Sequence, residues 1–391
     1  MSLLLLHADR ALTPSEEIRD AAILIEDGKI TSVGQRSAIS VPAGARVHKA
    51  PGLTVVPGFV DVHIHGAGGH DVMEGLPDAL SAIASTLARN GTTSFLATTV
   101  TAQADSLCRS VEGIASYMSR QTFAGQSSAS AELLGIHLEG PFISAARRGV
   151  HPAAWIAPPC VALLKRILDA AMRSVRLVTL APELPGALEL ISIARQAGLI
   201  VALGHTDATF EEASAAIAAG AHHAVHVFNA MRPFSHRETG VLGAILTSPE
   251  VTAELIADGV HVDPPAMRLL LSSKGASHVL LVSDGTAATG MPDGQYRLGE
   301  IEVTVKEGIC RNSDGRLAGS TLTLDRAIRN VVALGVPLTQ AVQMATLNPA
   351  RLLGLEKKKG VLALGADADL VLLDEKLRVA DVMTRGVGLV A

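Results

Sequence analysis

The sequence predicts an α/β protein, a (β/α)8 TIM-like barrel carrying a small β-sandwich domain formed by both termini. Three observations lead there. Eight apolar, β-branched runs alternate with Ala-rich helical stretches through the middle of the 391 residues. Both ends read instead as short strands with turn punctuation, and neither is long enough to bury a core alone. The polar residues that close the runs are largely histidines and carboxylates.

In chain order, Ala21–Glu26 reads as a strand closed by the hairpin signal Asp27-Gly28, with Lys29–Val33 returning. The barrel runs follow: Phe59–His65, Thr93–Val100, Leu133–Glu139, Val175–Leu180, Leu199–Gly204, Ala224–Phe228, Ala253–Ala257 and Val279–Ser283. Between them Asp78–Asn90, Pro185–Ala197 and Glu211–Ala219 have helical spacing, with Gly91, Gly198 and Gly220 placed to end them. An open Rossmann sheet competes, but no GxGxxG opens a helix after the first run. Residues 290–320 break the repeat with strand-like Glu300–Lys306 and turn-like Asn312–Gly315, and read as a β insertion after the eighth strand. Towards the end, Gly360-Val361-Leu362, Ala368–Leu373 and Val387–Val390 are again short apolar pieces. The expected division is a small domain from 1–57 with 358–391, and a barrel from 58–357.

At 48% hydrophobic and 18% charged, the chain has the material for a large core, which excludes a disordered or collagen-like protein. Lys+Arg of 33 against Asp+Glu of 38 gives a net charge of −5, which argues against nucleic acid as a partner. An anionic ligand would need a local cationic cluster. Cys108, Cys160 and Cys310 are far apart and form no CxxC pair, as in a reducing compartment. No stretch approaches the roughly 18 apolar residues of a membrane helix, and Leu3–Leu6 is too short for a signal segment. The expected location is the cytoplasm.

Catalytic groups in a barrel project from the C-terminal strand ends. The first run ends in His63-Ile64-His65, and residues two apart share a strand face. The third ends in Glu139, the fifth is followed by His205, the sixth contains His226, and the eighth is followed by Asp284. Singly, such a histidine more often packs in a core or sits at the surface; His137, His222 and His223 have no better case. Together, imidazoles and carboxylates drawn from residues 63 to 284 form a metal-ligand set, whereas a structural site would be local in sequence. Zinc and iron both suit these donors. Two ions fit if Glu139 bridges His63 and His65 on one side to His205 and His226 on the other. Such a metal makes bound water acidic enough to act at neutral pH, with Asp284 as the proton carrier.

The stretch Val56-Pro57-Gly58-Phe59-Val60-Asp61-Val62-His63-Ile64-His65-Gly66 resembles the amidohydrolase superfamily, as does the tail from Lys359 to Leu370. Gly135–Phe142, Gly149-Val150-His151, Gly204-His205-Thr206, His226–Met231, Asp258–His261 and Leu281–Asp284 resemble its N-acetylglucosamine-6-phosphate deacetylase family over nearly the whole chain. The resemblance implies hydrolysis of the N-acetyl group of that sugar phosphate, in amino-sugar catabolism or cell-wall recycling. It implies a main metal on Glu139, His205 and His226, with Asp284 as acid/base and His151 polarising the acyl carbonyl. It places substrate contacts at Val150, His151, Asn229, Ala230, Arg237, Asp258, His261, Leu317, Ala318 and Gly319. Arg237 and His261 are the phosphate candidates, with part of that contact coming from a neighbouring subunit of a homodimer. Some members lack the first histidine pair and use one metal; here His63 and His65 are both present.

Within the superfamily, dihydroorotase- and hydantoinase-like enzymes bridge two metals with a carboxylated lysine on the fourth strand, and the fourth run here has none. Adenine-deaminase-like members would not need Arg237 or His261. A non-catalytic scaffold would be expected to have lost ligands, and none is missing. N-acetylgalactosamine 6-phosphate is the alternative substrate.

Overall fold

The computed structural model describes residues 3–123 and 128–389, so Val390 at the end of the last apolar piece lies outside the described residues. Eight parallel strands form one sheet in sequential order: Phe59–Ile64, Thr92–Thr99, Glu132–Glu139, Val175–Leu180, Ile200–Leu203, His223–Ala224, Thr252–Leu255 and Val279–Leu281. They are called barrel strands one to eight below. The expected α/β barrel is the architecture. Most strand residues are buried on both faces, as helices outside and packed side chains inside require.

Ordinary strand pairing links strands one to eight in a row but does not join the ends. A short seam does. Asp284 donates its N–H to the His63 carbonyl at 2.9 Å, and His65 and Gly66 both donate to the Gly285 carbonyl at 2.8 and 3.0 Å. Closure therefore happens beside the residues that the strand-end pattern singled out.

Strands from both termini form a single seven-stranded sheet. Its central strand, Arg46–Pro57, pairs in parallel with Leu3–Leu12 and antiparallel with Leu370–Leu373. The predicted hairpin is present: Asp27 and Gly28 have φ of 47° and 78°, the doubly positive geometry of a tight two-residue turn. Gly28 is required there, because a Cβ would stand 2.4 Å from the Arg385 carbonyl oxygen. The apolar side of this sheet forms its own cluster around Leu6, Ile23, Ile30, Val55 and Leu370.

The insertion is an antiparallel meander of Gly294–Leu298, Ile301–Lys306 and Ile309–Asn312. Its buried side packs Leu298, Val303, Val305 and Cys310 against Val100 and Ala318. This seats the meander over the C-terminal mouth of the barrel. Among the described residues no helix is long and apolar enough to cross a membrane.

Candidate active site

Strand one delivers His63 and His65 to the same side, both buried, with their rings 5.3 Å apart. Strand three delivers Glu139. The remaining candidates follow their strands directly, and the chain bends sharply to aim them inwards. His205, His226 and Asp284 have φ of 47°, 28° and 50°. Such backbone costs about 1–3 kcal/mol per residue and persists only where the surroundings fix it. For Asp284 they do, through the seam bond to His63 and the N–H of Ser320 donated to its carbonyl at 2.7 Å.

Five imidazoles converge on the Glu139 carboxylate. Oε1 lies 2.8 Å from His226 Nε2, 3.2 Å from His205 Nε2 and 3.3 Å from His63 Nε2. Oε2 lies 3.4 Å from both His65 Nε2 and His151 Nε2. Asp284 Oδ1 completes the cluster, 3.1 Å from His65 Nε2 and 3.7 Å from His63 Nε2. Three overlapping trios have metal-binding spacing: His63, His65 and Asp284; His63, Glu139 and His226; Glu139, His151 and His205.

The partners of the outer ring nitrogens decide what each imidazole offers inwards. His65 Nδ1 meets the Thr98 carbonyl at 2.9 Å, His205 Nδ1 the Arg147 carbonyl at 3.0 Å, and His63 Nδ1 a carboxylate oxygen of Glu254 at 2.8 Å. A carbonyl or carboxylate oxygen can only accept, so these Nδ1 atoms each keep a proton, which leaves Nε2 as the atom that can offer a lone pair to a cation in the cluster. His151 is the reverse. Its Nδ1 accepts the Thr101 N–H at 3.1 Å, so its neutral ring presents an N–H donor at Nε2.

These residues fit a divalent metal. His205 Nε2 and His226 Nε2 face each other at 3.2 Å, and buried His63 Nε2 makes no hydrogen bond at all. Lone pairs and a carboxylate aimed at one point call for a cation. The charge balance agrees. Burial alone would raise Glu139, yet His63 and His205 hold it well below the usual carboxylate range. Burial would lower His65, yet without a cation Asp284 and Glu139 hold it up at about 9, so a second proton stands where a metal would take its place. His151, dominated by burial, is pushed down to about 4 and stays neutral.

Above the cluster opens a cavity of about 190 Å³ lined by His65, Glu139, Val150, His151, His205, His226, Asn229, Ala230, His261, Asp284, Leu317 and Gly319. Most of the expected substrate contacts are thus brought together. A larger cavity of about 1020 Å³ lies between Asp71, Met73 and the insertion's Tyr296 and Glu300. The imidazoles converge on the smaller one, which places the chemistry there. Ala318 does not face this pocket; it is fully buried in the insertion core. Asp258 acts behind it: His261 Nδ1 donates to Asp258 Oδ2 at 2.7 Å. Burial lowers the His261 ring, but the Asp258 carboxylate outweighs this and raises it, favouring a cationic imidazole at the rim. Arg237 lines a separate hollow with Arg232, Glu238, Thr209 and Phe210.

Sequence reasoning passed over Glu254. It lies in the seventh apolar run, is fully buried, and meets His63, His223 and the backbone of His226. The signal was a lone acid inside an otherwise apolar strand. Asp61 was also passed over; its Oδ1 accepts the N–H groups of His63 and Ser283. His137 is held by Thr98 and Thr179 within the barrel.

Residues 54–388 match the amidohydrolase family. The chain belongs to the amidohydrolase family. Among its relatives, N-acetylglucosamine-6-phosphate deacetylase of Bacillus subtilis (strain 168) is 38% identical over 96% of this chain and 94% of its own. N-acetylgalactosamine-6-phosphate deacetylase of Escherichia coli O157:H7 is also 38% identical, over 97% of this chain and 98% of its own. Among solved amidohydrolase structures, N-acetyl-D-glucosamine-6-phosphate deacetylase from Mycobacterium smegmatis superposes with a TM-score of 0.91. It shares 41% identity and covers all of both chains; that structure is an aspartate-to-alanine variant in complex with N-acetyl-D-glucosamine-6-phosphate.

Proposed function

We propose that this amidohydrolase hydrolyses the N-acetyl group of N-acetylglucosamine 6-phosphate, giving glucosamine 6-phosphate and acetate. The observation that carries the reading is the convergence of a candidate metal-ligand cluster, Asp284 and a donor-bearing His151 on one pocket rimmed by His261. The relatives named for this reaction support it across the whole chain.

Glu139, His205 and His226, mutually within 3.2 Å, would hold one divalent ion, and His63 and His65 with Asp284 a second; zinc or iron suits both sets. When bound, the metal supplies Lewis acidity that makes water nucleophilic near neutral pH. The protein's own groups do the rest. Asp284 takes the proton of the attacking water and returns it to the amide nitrogen, turning a poor leaving group into an amine. His151 donates its Nε2–H to the acyl oxygen, where negative charge develops. Val150, Asn229, Ala230, Leu317 and Gly319 line the space for the sugar.

His261, braced by Asp258, meets the phosphate. Arg237 lies outside this chain's pocket, so its phosphate contact belongs to a homodimer, reaching the pocket of the partner subunit. The three cysteines carry no disulfide, in keeping with the cytoplasm. Two separate apolar clusters support reading 1–57 with 358–391 as one domain and 58–357 as another.

The test is acetate release by the purified chain from phosphorylated and unphosphorylated N-acetylglucosamine and N-acetylgalactosamine, with metal counted per chain. Release fastest from N-acetylglucosamine 6-phosphate is expected. Preference for the galactose epimer overturns the sugar assignment, and no release from any of the four overturns the reaction.

A further inference from the structure

We infer that Glu254 is a positioning residue that makes His63 a metal ligand, by fixing its proton on Nδ1 before any metal arrives. This rests on the reading of His63 and His65 as ligands.

Glu254 stands on strand seven with no exposure to solvent, a costly place for a carboxylate unless each oxygen is met by donors. Each is. Oε2 accepts His63 Nδ1–H at 2.8 Å and the backbone N–H of His226 at 3.1 Å. Oε1 lies 3.0 Å from His223 Nε2. His223 Nδ1 is 2.7 Å from the Thr252 hydroxyl, which can donate to it and leave the proton on Nε2 to face Glu254. A chain runs from Thr252 through His223 to Glu254 and ends on His63.

The consequence is specific to one imidazole. His65 and His205 have their Nδ1 protons fixed by backbone carbonyls, which no substitution of a side chain removes. His63 alone among these three depends on a side chain. If Glu254 lost its acceptor oxygens, nothing at Nδ1 would hold the proton there, and the Nε2–H form would point a donor where a lone pair is needed. The same oxygen holds the backbone of His226, so one carboxylate registers two of the rings that meet Glu139 Oε1.

The test has two readouts besides activity. In metal-free wild type with 15N-labelled histidine, NMR of the imidazole nitrogens should show His63 protonated at Nδ1. Read at a pH where the ring is neutral, a proton on Nε2, or a mixture, overturns the inference, and this measurement needs no variant to fold. Zinc titration then compares Glu254→Met with Glu254→Gln. The Met variant removes both acceptors and should bind the ion on His63 and His65 about 10- to 100-fold more weakly. The Gln variant keeps one oxygen for His63 and His226 and turns its amide NH2 to His223, whose ring then moves its proton to Nδ1 and donates it to the Thr252 hydroxyl, itself a donor to the His222 carbonyl; it should recover most of the affinity. Unchanged affinity in Glu254→Met overturns the inference while leaving the metal site standing. A wild-type chain that holds no ion on His63 overturns both.

Discussion

In the proposed reaction Asp284 carries the most chemistry of any single side chain in the pocket. It is buried, it faces the His65 ring at 3.1 Å, and burial would raise it, yet the histidines hold it below the ordinary carboxylate range. An ionised base of this kind is ready to accept a proton from water. Asp284→Asn keeps the shape and removes that capacity, so kcat should fall by at least about 10²-fold while most bound metal is retained. Steady-state kinetics with elemental analysis checks both halves, and near-normal turnover would remove Asp284 from the reaction. The convergence of these side chains was legible in the sequence because they are rare residue types at strand ends, with His63 and His65 at the two-residue spacing of one face. Glu254 was not, because one acid in a short strand reads the same whether it braces a ligand or faces water. Only the packed structure shows that it has no route to solvent.

At the scale of elements, the eight runs were legible as strands because β-branched apolar stretches between Gly-ended helices have few other uses. Where they stop was less so. The sixth run was expected over Ala224–Phe228, but the ladder ends at Ala224. His226 and Phe228 adopt positive φ, which hydrophobic pattern does not encode. Strand five shows how tightly such an end is packed. A Cβ on Gly204 would stand 2.1 Å from Cγ2 of Val225, just beyond strand six, and 3.0 Å from Cγ2 of Thr179 in strand four. Gly204→Ala must therefore displace Val225 or the end of strand five, which carries the adjoining His205. Overpacking of this kind costs about 1–3 kcal/mol. A lower melting temperature together with weaker metal binding is expected; a variant with wild-type values of both would show that the strand end has slack.

At the scale of the molecule, a buried ion cluster fastens the terminal sheet to the barrel. Lys359 Nζ lies 2.5 Å from Glu132 at the start of strand three, and 3.0 and 2.7 Å from Asp367 and Asp369 ahead of the Leu370–Leu373 strand. Lys359→Met would leave these carboxylates without their shared cation, and breaking such buried pairs costs about 3–5 kcal/mol. A marked fall in the urea midpoint is expected, and an unchanged midpoint would count against the cluster as a fastening. Oligomeric state enters through Arg237. If it serves a partner's pocket, Arg237→Ala should weaken turnover of the phosphorylated sugar about 10- to 100-fold, the scale of one charged hydrogen bond at about 1.5–3 kcal/mol. Unphosphorylated N-acetylglucosamine should be little affected. Equal loss on both sugars would contradict the phosphate role.

The seam that closes the barrel has a thermodynamic meaning of its own. Strands one and eight meet through amides of His65, Gly66 and Asp284, and two of those residues also face the point where a cation would sit. Anything that binds there holds the two edges of the sheet together, so loading and closure are linked functions: a ligand at 100 times its Kd adds about 2.7 kcal/mol to the closed form. The metal-free chain should then exchange its His65 and Asp284 amide hydrogens for deuterium faster than its central strands do. Metal should slow that exchange selectively, so that the barrel is zipped shut by the same ion that equips it for hydrolysis.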